Sequence, residues 1–550
     1  MLTASILTQI FRCATVVAFG IVAVSRMGTA QVQAAKLMGS IVDSESGRAL
    51  AARITILDAA GKAYFPTSAA PQGSAVRYQR QHGGNPRAVE NHSTVSAHPF
   101  QIDLPEGGYR LTIEHGKEYQ PLHTNLTVHG ETEVRASFAL RRFVDMPGMG
   151  WFSGDTHVHR DPAEIPNVQL AEDVNVVLPV VHWTTSDAVA PSKGPRNFKI
   201  VDESGLVRSD ATHVFHPLNS EYEIFSTGGT NHTSGAIVIA NHKVPFDIPA
   251  FPLKRVAEAA HAQGALIDLE KHNWPWSMAV VPIVKPDLFE LANNHLWQTE
   301  FAVRQWALPA PAYMGLPQGG LDSERDWALY GFQTYYALLN CGFQISPTAG
   351  TGNGVHPVPL GFGRVYVQLV GGFDYDAWMK GLKAGRSFVT TGPLLLASID
   401  GQPPGARFQL DGKVERTIKV RVIIFSPDPV SKVELIRNGE LVQENAGEVP
   451  MSKSVANVLF ERIRVKDPTW LAVRCWTVPE PGRVRFAHTA PFYFDVPGRK
   501  LSPTRAQADY LRSRTREELN RSRSRLPAEA VAEYEEALRF YEALVPTAKQ

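Results

Sequence analysis

The chain has 550 residues, which at roughly 150 per domain allows three or four domains. It is 44% hydrophobic and 20% charged, the composition of an ordinary soluble globular protein. Fifty-five basic residues balance 54 acidic ones to a net charge of +1, so no global field is available to attract nucleic acid or an anionic membrane. Of three cysteines, Cys13 lies in a targeting segment. Only Cys341 and Cys475 are left for at most one bridge, which excludes a disulfide framework. Histidine is the unusual residue: there are 18, and 11 of them fall between His157 and His356.

The first 35 residues read as a secretory leader. Arg12 precedes the apolar run Cys13–Val24, which is too short for the roughly 20 residues a bilayer span requires. Small-residue sites follow at Gly28-Thr29-Ala30 and Val32-Gln33-Ala34. No later stretch reaches 18 apolar residues, so the expectation is an exported protein, periplasmic or extracellular, with no stable membrane insertion of the mature chain.

Residues 37–65 alternate in period two and break at Ser46-Gly47 and Gly61, the pattern of small antiparallel strands. The polar stretch Pro66–Ser96 reads as a long loop. Strands resume at Phe100–Leu104, at Gly107-Gly108-Tyr109-Arg110-Leu111-Thr112-Ile113-Glu114, at Leu126–Val128 and at Glu133–Leu140. With its opening turn and its tyrosine-bearing strand, the segment 36–145 resembles the carboxypeptidase-regulatory-like β-sandwich, and that resemblance implies no chemistry.

From Gly150 short apolar runs alternate with helical stretches. The runs are Val174–Val181, Ala236–Ala240, Ala265–Leu269, Leu288–Leu291 and Arg364–Leu369; the helical stretches are Leu253–Gln263, Trp327–Asn340 and Tyr375–Lys383. That alternation predicts a buried, mostly parallel sheet in a βα-barrel-like domain, residues 146–395. Residues 396–498 return to strands: Thr417–Phe425, Lys432–Arg437 with the hairpin turn Asn438-Gly439, Trp470–Trp476 and Pro491–Val496, a second β-sandwich. The tail 499–550 is helical, Arg-rich to Arg525 and Glu-rich beyond it. Its apolar positions Tyr534, Leu538, Tyr541 and Leu544 would pack on the body, on another subunit in an oligomer, or lie in solvent.

The chemistry concentrates in Trp151-Phe152-Ser153-Gly154-Asp155-Thr156-His157-Val158-His159. Two histidines at i and i+2 of a strand face the same way and can reach one metal ion. Asp155 shares that face as a ligand, a partner that fixes a tautomer, or a proton shuttle. A position at the C-terminal end of a barrel strand is where barrel sites are built.

Three motifs together resemble the PHP (polymerase and histidinol phosphatase) domain, and more closely its exported branch that includes the carbaryl hydrolase. They are the opening Trp151–His159, the run Asp268–Trp276 with Glu290–His295, and the closing Gly385–Pro393. The resemblance implies an α/β fold, a PHP-type distorted βα barrel between the two β-sandwiches, and one to three divalent ions of Zn, Mn or Fe. The matching ligands are His157, His159, His182, Glu223 (with Glu221 as rival), His232, His272 and His356. Val181 and Gly354 stand where the family carries aspartates, so a full trinuclear set is not matched.

The implied activity is hydrolysis of a small ester, phosphoester or carbamate/amide-like, by metal-activated water. Asp155 and Lys271 are the catalytic candidates, and Arg364 is a further anion-stabilising one. The alternative is a catalytically degenerate barrel that binds a ligand such as carbohydrate, with Trp274 and Trp276 as an aromatic wall. Each histidine also has a structural reading, His232 as a loop cap and His182 as a core residue beside Trp183.

Overall fold

The computed structural model describes residues 34–549 except 83–84, 87, 131–132, 200–204, 297–309, 318–322, 447–448 and 479–484. The leader expected over 1–35 lies outside the described residues up to position 33. The fold is mixed α/β, built mostly from strands in several sheets.

At the N-terminal end two sheets face each other. One orders Glu133–Leu140, Ala34–Asp43, Phe100–Pro105 and Thr67–Ser68. The other runs Ala75–Gln81, Val89–Val95, Ala52–Asp58, Gly107–Glu114 and Leu122–Val128. Period-two patterning drives this arrangement, because alternate residues such as Leu37, Ile54, Ile56, Leu111 and Ile113 fill the space between the sheets. The polar stretch expected to be a loop is corrected here. It holds the hairpin Ala75–Gln81/Val89–Val95, paired in register from Ala75↔Val95 to Gln81↔Val89. A sheet-edge strand with one face in water carries few apolar residues, so its sequence looks like loop. On Ala75–Gln81 the buried residue is Tyr78.

The central region contains two sheets. In one, His182–Ser186, Ser220–Thr227, Ala236–Ala240, Leu266–Leu269, Leu288–Ala292 and Ser346–Ala349 lie side by side. The other starts from Val207–Arg208, Val214–Phe215, Val176–Pro179 and Trp151–Val158. It continues through Arg364–Gln368 and Ser387–Thr390 to Phe486–Thr489, Thr469–Thr477, Val430–Arg437 and Glu440–Ala446. A single sheet therefore joins the histidine strand to the C-terminal sandwich. That sandwich closes over a core of Leu394, Val420, Val433, Leu435 and Val473 with the sheet Leu394–Ile399, Arg416–Phe425 and Val455–Val465.

Among the described residues no sheet closes into a barrel. The two central sheets are joined where the chain passes from Val176–Pro179 to His182–Ser186. They are joined again where Val158 bridges Asn353, with His159 N donating to Asn353 O at 2.7 Å and Gly352 N to His157 O at 2.8 Å. Pairing is mixed rather than mostly parallel, because Ala236–Ala240 runs antiparallel to both neighbours and Arg364–Gln368 antiparallel to the histidine strand.

The helix Leu253–Ala262 buries Leu253, Val256, Ala257 and Ala260, one stripe at 3.6-residue spacing. The tail forms two helices, Arg505–Ser522 and Ala528–Leu544, and both pack on the central region. Thr504 and Gln507 close a capping box on the first. From the second, Tyr541 donates to Met278 O at 3.0 Å, and Glu533 accepts from Leu253 N at 2.9 Å and Lys254 N at 3.0 Å. The apolar positions Tyr534 and Tyr541 are thereby buried within their own chain. Cys341 and Cys475 are both free thiols.

Candidate metal centre

The histidine strand Trp151–Val158 is buried along its whole length, as expected of a strand covered on both faces. At its C-terminal end His157 Nε2 lies 3.0 Å from His159 Nε2, and His159 Nε2 lies 3.0 Å from Glu221 Oε2, with His157 Nε2 3.8 Å from that oxygen. These three ligand atoms converge within 4.8 Å of one another, and all three side chains are buried. On its other side the His157 ring meets Glu270 Oε2 at 2.8 Å and Glu290 Oε2 at 3.1 Å through Nδ1. Glu270 follows the strand Leu266–Leu269, Glu290 sits on Leu288–Ala292 and Glu221 on Ser220–Thr227, so four strands from the two central sheets deliver the cluster.

Two further carboxylates surround it. Glu223 shares a strand face with Glu221, and Asp268 accepts from Thr348 Oγ1 at 2.7 Å. Lys271 Nζ binds Glu270 Oε2 at 2.8 Å and Asn294 Oδ1 at 3.2 Å.

Charge in this interior is unbalanced. Burial and the neighbouring Glu270 push Glu221 up to about 8. Burial pushes Glu290 up to about 7 against the pull of His157. Burial together with Glu221 raises Glu223, and burial together with Glu290 raises Asp268, both well above the usual carboxylate range. Glu270 runs the other way: despite burial, His157 and Lys271 hold it well below that range. Burial and the charge of His157 keep His159 neutral. A surplus of buried carboxyls beside two facing imidazole nitrogens is stabilised by added positive charge.

The donor set fits a divalent cation. Bonds of about 2.0–2.2 Å from metal to nitrogen or oxygen put the ligands of one ion roughly 3–3.5 Å apart, close to the spacing here. Glu221 Oε2, Glu270 Oε1 and Glu290 Oε1 are buried without a hydrogen-bond donor. Mixed imidazole and carboxylate donors suit Zn, Mn or Fe.

Of the residues expected at the site, the structure brings together His157 and His159. The carboxylate that meets them is Glu221, the rival, rather than Glu223, which stands one pleat further along the same face.

Asp155 is tied to the backbone and side chains around it. Its two oxygens accept from Thr351 N at 3.1 Å, Thr351 Oγ1 at 2.6 Å, Gly361 N at 2.9 Å and His157 N at 3.3 Å, which leaves no lone pair facing the cluster. Against its burial, Glu270 and then Glu290, Glu223 and Glu221 raise Lys271 above its ordinary value and favour its cationic form. Arg364 spends its guanidinium on the backbone carbonyls of Gly361, Glu172 and Asp173.

His232 is not at the cluster. Its Nε2 meets Ser522 Oγ at 2.8 Å and its Nδ1 meets Arg521 at 3.1 Å, so it docks the tail helix; burial and Arg521 lower it to about 4. His272 lies in an aromatic box against Phe289, Trp327 and Tyr330, with ring centroids 5.5, 5.0 and 5.6 Å away. Burial and the cation of Arg514 lower it to about 3. His182 stacks on His242 at 6.5 Å. His356 packs at a tilt against His82 at 5.8 Å and feels the charges of Lys271 and His159, so it borders the cluster without joining it. Trp274 and Trp276 are 4% and 0% exposed, so neither presents a face to a ligand.

Glu270 and Glu290 are the residues that motif reading left without a role. The available signal was their charge on or next to strands that are otherwise apolar, where carboxylates are rare unless partnered. No family model, no curated protein and no solved structure matches the chain.

Proposed function

We propose that the chain is a metal-dependent hydrolase of PHP type, exported, acting on a small ester of the phosphoester or carbamate/amide-like class. The observation that carries the reading is the buried convergence of His157, His159 and Glu221, with His157 backed by Glu270 and Glu290. His157 and His159 would hold the ion through Nε2, and Glu221 through Oε2. An ion so held acts as a Lewis acid and lowers the pKa of water from 15.7 to about 7.

The chain's own groups do the rest. Glu270 and Glu290 accept the Nδ1–H of His157, which fixes its ring orientation; without an ion their charge also holds the ring protonated against burial, so a bound ion would take the place of the Nε2 proton. Lys271 offsets the negative charge of Glu270 and keeps that carboxylate ionised. Asp155 ties the 351–361 loop to the histidine strand, so the strand end and the loop that flanks it hold one geometry.

Metal analysis of the purified chain after reconstitution with Zn²⁺, Mn²⁺ or Fe²⁺, followed by a phosphoesterase and carboxylesterase substrate panel, tests the reading. A content below about 0.2 ion per chain under every condition overturns it. Full burial of His157 and Glu270, at 1% and 0% exposed, favours the second reading, a metal-holding protein that binds a ligand without turnover. Stoichiometric metal with no hydrolysis across the panel selects that one.

A further inference from the structure

A cavity of about 450 Å³ opens where the N-terminal sheets, the 359–364 turn and the C-terminal sandwich meet, and it shares no residue with the histidine–carboxylate cluster. Lys117 is its central feature. Gly116, in the left-handed region at φ 59°, packs against Asp173 and turns the chain so that Lys117 enters the cavity. The Lys117 ammonium donates to Thr391 O at 3.1 Å and stands 5.3 Å over the Phe362 ring.

An ammonium has three donors, and one is used. Of the three carboxylates that line the cavity, Glu114 and Glu172 are taken by Arg53 at 2.9 and 2.7 Å, and the third is Asp428. Among the described residues Lys117 makes no ion pair, and the charges it feels most are the guanidiniums of Arg364 and Arg485. Arg485 covers the Phe362 ring from 4.9 Å. Burial and those like charges hold Lys117 well below its ordinary pKa, a state that an arriving anion relieves.

We propose that this junction cavity is a binding site for a small organic anion, a molecule whose phosphate or carboxylate group is clamped between Lys117 and Arg485 with Phe362 as its apolar wall. The volume matches that of small-molecule sites. Guanidinium and ammonium groups together are the usual recognition set for either oxyanion. The floor of the cavity is the same turn whose Gly361 N bonds Asp155 at 2.9 Å, so the site lies one hydrogen bond from the histidine strand.

Titration calorimetry of the full chain, stripped of metal with EDTA and then dialysed free of the chelator, with inorganic phosphate and separately with succinate, tests the proposal. The expected result is saturable binding of at least one anion, weakened at least tenfold in K117M and independently in R485M. The anion that binds identifies the group. No saturable binding of either anion by the wild type overturns the proposal. So does unchanged affinity in either variant that keeps its circular dichroism spectrum. Absent zinc binding with anion binding intact would instead sink the hydrolase reading and leave this site standing.

Discussion

At His157 the two ring nitrogens face different chemistry. Nε2 turns to His159 and Glu221, while Nδ1 turns to Glu270 and Glu290. This division separates ligands from orienting groups and makes Glu221 and Glu223 distinguishable by experiment. Glu221→Gln is expected to weaken zinc binding by at least about tenfold, and Glu223→Gln by less than about threefold, read by competition with a chromogenic chelator. Equal losses would contradict the assignment.

Gly354 supplies a second residue-scale prediction. It stands where the PHP resemblance expects an aspartate, yet its φ is 108° and a Cβ there would lie 1.9 Å from His159 O. Gly354→Ala is therefore expected to destabilise the fold by roughly 3 kcal/mol in urea unfolding and to reduce metal content as well. At this scale the sequence disclosed the His-x-His pair, because spacing alone puts both rings on one face. Period two could not separate Glu221 from Glu223, since both satisfy it. The choice comes from register, in which Glu221 pairs with Val238 and Glu223 with Ala236.

Single elements show how distant segments complete local structure. His213, in the turn between the short strands Val207–Arg208 and Val214–Phe215, sits 3.1 Å from Asp173 and 2.9 Å from Asp210. Against its burial, those two carboxylates raise it to about 9. Its pKa is higher folded than unfolded, so its contribution is full below about pH 6.5 and fades as pH rises to about 9. His213→Gln is expected to remove on the order of 2–3 kcal/mol at pH 6 and to flatten the stability profile between pH 6.5 and 9. Asp210 has the opposite sign: burial opposes but His213 lowers it to about 2, so its contribution fades as pH falls from about 3.8.

The helix Leu253–Ala262 starts at Pro252, which offers no capping side chain, and Glu533 accepts from its first two backbone N–H groups instead. Glu533→Ala should lower stability by about 1–2 kcal/mol, read as a shift in the urea midpoint, with metal content unchanged. Helices with a clear stripe were legible from sequence within a residue or two, as at Leu253–Ala262 and Tyr375–Lys383. The hairpin Ala75–Gln81/Val89–Val95 was not, because the first is a polar edge strand and the second an interior strand that buries polar residues such as His92, Ser93 and Thr94, so both have the composition of a loop.

Over the whole molecule the regions are interlocked. The sheet that carries His157 continues into the C-terminal sandwich through Ser387–Thr390 and Phe486–Thr489. From the N-terminal sheets, the Tyr78 hydroxyl donates to His356 O and accepts from Gly354 N, and Arg80 Nε donates to Gly354 O at 2.8 Å. From the tail, Arg514 donates to Tyr330 and to Trp274 O. Deleting residues 503–550 is expected to abolish the folded central region along with the tail. A truncated chain that melts within about 5 °C of the full one would refute this interlock. Such coupling was illegible in the sequence: His232 reads locally as a loop residue, and its partner Ser522 lies 290 positions away.

The Glu533 cap also bears on the order in which the chain is made. The backbone N–H groups of Leu253 and Lys254 wait for a carboxylate that emerges 280 residues later, and the strand beside Ser387–Thr390 arrives only at Phe486. Synthesis must therefore run nearly to its end before the helix Leu253–Ala262 and the sheet that carries His157 have all their partners.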